Sequence, residues 1–307
     1  MADISRSEVS TLIQEEYGND LLSAAATTSA ALQLFRTVDM GTRTRNLPVL
    51  ATLPEAEFVG ESATESGGVK PTSQVVWANK QLVAEEIAVI IPVHENVVDD
   101  ATEDILEQIA RQGGAAIGRK LDGAVFFGTD KPAAWTSNDL LAAAVAASQT
   151  VTIGAVEDGD DLGGSIYQAA ELVDKAGFDP SALAAPRGLR FRLPNIRNVD
   201  GTPIWAPGAD GTLDNVAGLT AAYVPGRVWD RDEAEAFIFD RDMVVLGVRQ
   251  DVTVKFLDQA TVGGINLAER DMVALRFKAR FAYVLGNIAT GEGDAQVPVA
   301  AVLPAGS

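Results

Sequence analysis

The chain contains no cysteine. Disulfides, thiol catalysis and cysteine metal sites are therefore excluded, and stability must come from packing or assembly. It has one histidine, His94, which rules out a multi-histidine metal centre. No apolar run approaches the ~20 residues a membrane-spanning helix needs. The opening stretch "MADISRSEVSTLIQEEYGNDLL" lacks the basic start and apolar block of a secretory signal. Basic residues are in deficit: 24 Lys and Arg face 43 Asp and Glu, a net charge of −19. So acidic a chain repels nucleic acid overall, because DNA binding rests on neutralising phosphates.

What is present is a chain of 307 residues, 47% hydrophobic and 22% charged. That is enough for a substantial core, in two domains or one large elaborated one. Ser5–Glu8 has capping-box spacing, and Val9, Leu12, Ile13 and Tyr17 follow at helical intervals up to Gly18. Such a narrow stripe needs something else to bury it. Polar and apolar residues alternate from Val38 to Pro48, which predicts a strand. Two β-prone ends, 55–59 and 73–77, then flank Gly60, Gly67, Gly68 and Pro71. This predicts a long hairpin with too few apolar residues for a core of its own. A polar hairpin of that length is expected to reach a partner.

Ile87, Val89, Ile91 and Val93 alternate as a strand should. From Asp100 onward, Ile105, Leu106, Ile109, Gly113, Ala116, Ile117, Leu121, Ala124 and Phe127 recur at steps of three and four. They predict a helix of about 27 residues and roughly 40 Å. Its acids crowd the first turn and its bases lie further along, as the helix dipole favours. Gly113 and Gly114 imply a bend or close packing, since glycine costs a helix about 1 kcal/mol relative to alanine. A second helix runs from Leu162 to Ala176 with Gly177 past its end. Strands follow near 236–257, with a turn expected at Gln250–Asp251. From Leu275 to Leu285 apolar residues alternate with Arg276, Lys278 and Arg280 as one long strand. The last twenty residues read as a tail.

No arrangement of residues carries chemistry. His94 lies next to Glu95 with no G-x-S-x-G serine turn in the chain, and reads as a surface histidine at a helix start. "EDGDDLGGS" lacks the alternating ligands and final glutamate of a calcium loop. No phosphate loop or dinucleotide fingerprint is present. No catalytic, metal-binding or cofactor-binding residue is assigned, and no cofactor is expected.

The order of these segments resembles the major capsid proteins of tailed bacteriophages, with the Hong Kong 97-type fold. "LFRTVDMGTRTRNLPVL" is similar to the family's lead-in strand. "AEFVGESATESGGVKPTSQVVWANKQLVAEEIAVIIPVHENVVDD" is similar to its extended loop and following strand. "ILEQIARQGGAAIGRKLDGAVFFGTDKPAAW" looks like the spine helix and its sequel, and "NVDGTPIWAPG" with "TLDNVAGLTAAYVP" like the axial domain. The resemblance implies an α+β subunit. Its parts are an N-terminal arm (1–35), a first piece of peripheral domain (36–52), an extended loop hairpin (53–82) and the peripheral domain with its long spine helix (83–136). An axial domain (137–261), a returning peripheral strand (262–292) and a C-terminal tail (293–307) complete it.

The resemblance also implies a function: self-assembly into hexamers and pentamers of an icosahedral head enclosing double-stranded DNA. Glu61, Glu65, Lys70 and Trp77 of the extended loop are expected to contact a neighbouring subunit, and Gly113 and Gly114 to act as a spine-helix hinge. The partners implied are the chain itself, a portal and decoration proteins, with no membrane. Met1 stands almost directly before the arm, which favours a separate scaffolding protein. Assembly is expected in the bacterial host cytoplasm. An encapsulin-type shell and an acidic soluble enzyme are the alternatives. Family members that cross-link join a loop lysine to a neighbour's asparagine beside a glutamate. Here Lys70 and Lys80 face only the scattered candidates Asn266, Glu269 and Asn287, so a shell without covalent links is expected.

Overall fold

The computed structural model describes residues 29–52, 76–99, 105–154, 162–196, 214–225, 228–286, 288–289 and 295–305. A short helix, α1 (Ala30–Leu34), leads into β1 (Arg36–Asp39), β2 (Thr44–Thr52), β3 (Val76–Val83) and β4 (Glu85–His94). Two helices follow, α2 (Glu95–Asp99) and α3 (Ile105–Phe126), then α4 (Leu140–Ala146), β5 (Thr150–Thr152) and α5 (Leu162–Lys175). β6 (Ala182–Pro186), α6 (Leu189–Arg192), β7 (Asn215–Val216), β8 (Leu219–Val224) and β9 (Ala236–Phe239) come next. The long strands β10 (Val244–Leu257) and β13 (Met272–Leu285) flank the small hairpin of β11 (Thr261–Val262) and β12 (Ile265–Asn266). β14 (Ile288–Ala289), β15 (Ala295–Gln296) and β16 (Val299–Leu303) close the described chain.

β1, β10, β13 and β4 form one sheet in that order. Its inner face carries Val252, Val254, Leu275, Phe277, Ala279 and Phe281, packed with Ala110, Ile117, Leu121 and Ala124 of α3. The alternation read along 87–93 and 275–285 is this inner face. α3 spans 22 described residues, about 33 Å at 1.5 Å per residue. The predicted cap at Asp100 lies outside the described residues. Few aromatics are present, 11 Phe, 4 Trp and 4 Tyr, but six of them gather under the end of α3. Phe35, Phe126, Phe127, Trp229, Phe237 and Phe239 meet there at centroid distances of 5.2–5.7 Å. Concentrating large rings at one junction gives it the geometry and buried area that aromatic pairs favour.

The second sheet has six strands in the order β5-β16-β9-β6-β8-β7. Phe237, Phe239 and Ala301 face the first core, while Ala236, Ile238, Ala300 and Val302 face α5 across a second core with Ile166, Ala169 and Val173. α5 matches the predicted second helix, and Gly177 follows it at φ +83°, a backbone angle glycine adopts without steric cost.

Four expectations are corrected. Residues 299–303, read as part of a tail, are an inner strand: Val299, Ala300, Ala301 and Val302 are fully buried between β5 and β9. Its residues are small and apolar, so nothing in their local pattern separates a buried strand from an apolar tail. Residues 244–257, placed with the axial region, pair along β13 in the sheet under α3. At Gln250–Asp251 there is no turn. β10 runs through, with register shifts between Val248, Gln250 and Thr253, a bulge that absorbs the extra residues. The hairpin stem also starts earlier than 53–82. It is β2 against β3, from Thr44 opposite Val83 to Thr52 opposite Val76. Pro48 sits within it opposite Asn79, and β14 meets β2 only at Thr52.

Candidate assembly surfaces

The stem is rooted in the body at its Val83 end and meets β14 at Thr52. Leu82 and Ala84 are fully buried and pack with Met40, Val245, Ala282 and Val284 on the outer face of the four-stranded sheet. Lys80 Nζ donates to the Leu285 carbonyl at 2.6 Å, and burial lowers the pKa of this amine. Thr44, Arg45, Asn46, Pro48, Asn79 and Gln81 are exposed. Glu61, Glu65 and Lys70 lie outside the described residues. Trp77 stands in β3 opposite Leu50.

A second surface begins at α1. Ser29 and the first turn of α1 are held by Asp122, a fully buried carboxylate near the end of α3. It accepts from Ser29 Oγ at 2.6 Å and from the Ala30 and Ala31 N–H groups at 3.1 Å each. Burial pushes its pKa up to about 7, against the opposing pull of these three donors. Asp122 thus caps the start of α1, which also buries Ala30, Ala31 and Leu34. Sequence reasoning missed it. The only signal is an acid on α3 well past the acidic first turn.

Gly113 and Gly114 are buried within an unbroken helix. A Cβ on Gly113 would stand 2.7 Å from the Phe277 ring, so close packing accounts for that glycine. His94 is exposed at the end of β4, opposite Met272. Among the described residues no group of three His, Cys, Asp or Glu side chains could hold a metal. A cleft of about 360 Å³ between β4 and α3 is lined by Ile87, Val89, Ile117, Lys120 and Trp135. Its charged lining is Lys120, paired with Asp130, together with Glu85 and Glu86. Of the cross-linking candidates, Asn266 lies half-buried in β12, and Glu269 is exposed in the turn after it. Lys70 and Asn287 lie outside the described residues. Phe191 is 78% exposed, between Arg190, which covers the Tyr223 ring at 5.4 Å, and Arg192, paired with Glu235 at 2.7 Å.

A long helix on a long-stranded sheet, a second sheet behind it and a hairpin left uncovered define a subunit built to assemble. The phage capsid family's profile matches residues 10–288, and the chain belongs to that family. It is similar to a solved structure from Mycobacterium phage Bobi, at 58% identity over 100% of both chains and a TM-score of 0.79. It is similar to one from Mycobacterium phage Cain, at 53% identity, again over 100% of both and with a TM-score of 0.79. A structure from Microbacterium phage Oxtober96 is 41% identical, over 99% of this chain and 100% of that one, with a TM-score of 0.77. Among curated proteins none matches. The chain is a structural protein, a major capsid protein that self-assembles into the icosahedral shell of a phage head.

Proposed function

We propose that the subunits gather into hexamers and pentamers, and that each hairpin lies across a neighbour in the same shell. The observation that carries this reading is the β2–β3 stem, whose root is buried while Asn46, Pro48, Asn79 and Gln81 are exposed. The two-residue strands β14 and β15 extend it only at the Thr52 end, and a second subunit supplies further cover. Glu61, Glu65, Lys70 and Trp77 are the contact residues of this reading. The peripheral domain is the four-stranded sheet with α3, and the axial domain is the six-stranded sheet with its flanking helices, now including β16. Gly113–Gly114 is the place where α3 bends between shell states. The role is structural, without an enzymatic step or a cofactor. The head encloses double-stranded DNA without sequence-specific contacts, consistent with a charge of −19 per subunit. A scaffolding protein, a portal and decoration protein are its further partners, and assembly takes place in the bacterial host cytoplasm.

Deleting Gly60–Pro71 tests the reading. The expected product is a subunit with native circular dichroism that forms no stable shells by electron microscopy. Normal shells from the deleted chain would overturn the hairpin's role.

A further inference from the structure

Lys80 stands apart from the other described lysines. Lys120 pairs with Asp130, Lys131 with Asp139 at 3.6 Å, Lys175 with Glu171 at 2.7 Å and Lys278 with Glu86 at 2.6 Å. Lys255 is exposed. A neighbouring carboxylate holds the proton on an amine and keeps it from acting as a nucleophile. The half-buried Lys80 donates instead to a neutral group, the Leu285 carbonyl, at 2.6 Å. Burial lowers its pKa, and no charged neighbour opposes that shift.

The amine also lines a cavity of about 220 Å³, bounded by β3, α4 and the end of β13. Its other walls include Ser137, Asn138, Ala143, Ala146, Leu285 and Val297. The lining is small or apolar apart from Ser137 and Asn138, and it holds neither a carboxylate nor a second cation. Asn138 and Ala146 are exposed, so the cavity opens to solvent.

We infer that Lys80 is an acylation site, and that this cavity receives an acetyl-sized group from an acyl phosphate. The neutral Nζ attacks the carbonyl carbon of the donor. A C–N bond forms and the C–O bond to phosphate breaks. Phosphate leaves with the electron pair, and the amine proton passes to water. The cavity suits the product better than the reactant. A lysine ammonium carries three donors, and Leu285 offers the one carbonyl acceptor found for it among the described residues. An acylated nitrogen keeps a single N–H, which that carbonyl satisfies. The methyl group of the acyl chain meets Ala143, Ala146 and Val297, and Asn138 supplies an amide for the new carbonyl oxygen. Acylation also removes a charge that burial disfavours. An adduct that kept a phosphate would bring a charge into a lining with no counter-ion.

The test treats the full-length protein with limiting acetyl phosphate across a series of pH values. Acetylation of each lysine is read by peptide mass spectrometry. The rate at Lys80 should rise with a midpoint below the ~10.4 of an exposed lysine amine. At pH 7 it should exceed the rate at Lys255 by about threefold or more, because a lowered pKa activates an amine nucleophile. Ala146→Leu, which fills the cavity from α4, should cut Lys80 acetylation severalfold and leave Lys255 unchanged. If that variant does not fold, the wild-type pH profile decides alone. A Lys80 profile that follows an exposed amine would overturn the inference, as would a Lys80 rate at pH 7 no greater than that of Lys255. Undiminished Lys80 acetylation in folded Ala146→Leu protein would equally sink it, by showing that the cavity does not receive the group.

Discussion

The Asp122 carboxylate accepts a 2.6 Å hydrogen bond from the Ser29 hydroxyl, across 93 residues of sequence. Both groups are fully buried. This contact and the two α1 amides on the same carboxylate are the polar tie between α3 and the start of the described chain. Asp122→Ala would leave three buried donors without their acceptor. A loss of about 2–3 kcal/mol in subunit stability is expected, read by chemical denaturation, with shell yield falling alongside.

The same residue sets a pH dependence. Its pKa in the fold is raised to about 7 by burial, above the ~3.9 of an exposed aspartate. Folding therefore favours its protonated form. The stability it contributes is fully present below about pH 4 and is lost as pH rises to about 7. Asp122→Asn keeps an acceptor oxygen but does not titrate. The difference in thermal midpoint between wild type and this variant should move against wild type from pH 5 to pH 7 and level off above. A difference independent of pH would show that the three donors outweigh burial.

Gly113→Ala sets two effects against each other. Alanine favours the helix by about 1 kcal/mol. Its Cβ, however, would stand 2.7–2.8 Å from three atoms of the buried Phe277 ring, and such overpacking costs about 1–3 kcal/mol. Phe277 is fully buried in β13 beneath α3. Net destabilisation is expected, seen as a lower denaturation midpoint. A more stable variant would show that the ring can shift, and would leave bending of α3 as the reason for the glycine.

Removing the chain from Val299 onward should prevent folding. Val299 and Val302 are fully buried, and each contributes about 1.5–3 kcal/mol. β5 and β9 also lose the strand between them, against a total stability of order 5–15 kcal/mol. The expected result is insoluble or unfolded product. A folded, shell-forming truncation would return these residues to the status of a tail.

Mature shells are expected to give a single band near the 32.2 kDa monomer on a denaturing gel. Lys80 is tied to its own chain at Leu285. Asn266 and the exposed Glu269 sit in and just after the β11–β12 hairpin, outside the sheet that β13 crosses. An amide is a poor electrophile and needs a neutral lysine and a positioned base together. A ladder of pentamer and hexamer bands would contradict this and make Lys70 the first residue to substitute.

The sequence by itself determined the elements whose pattern is periodic and amphipathic. The alternation at 87–93 and 275–285 and the three-four spacing of α3 each require one buried face, so they read directly as strand and helix. The polar hairpin was legible for the opposite reason, since it carries too little apolar surface to stand alone. Its sheet partners were not legible. β16 is apolar throughout and carries no period, so only its place between β5 and β9 makes it a strand. The bulge at Gln250 looks like a turn until β13 is seen to continue past it. Asp122 is one more acid on a charged helix until the fold sets it under α1. Lys255 stands beside Arg276 only because β10 and β13 pair in that register. Charge and burial of this kind are properties of neighbours distant in sequence, and tertiary structure alone decides which residues become neighbours.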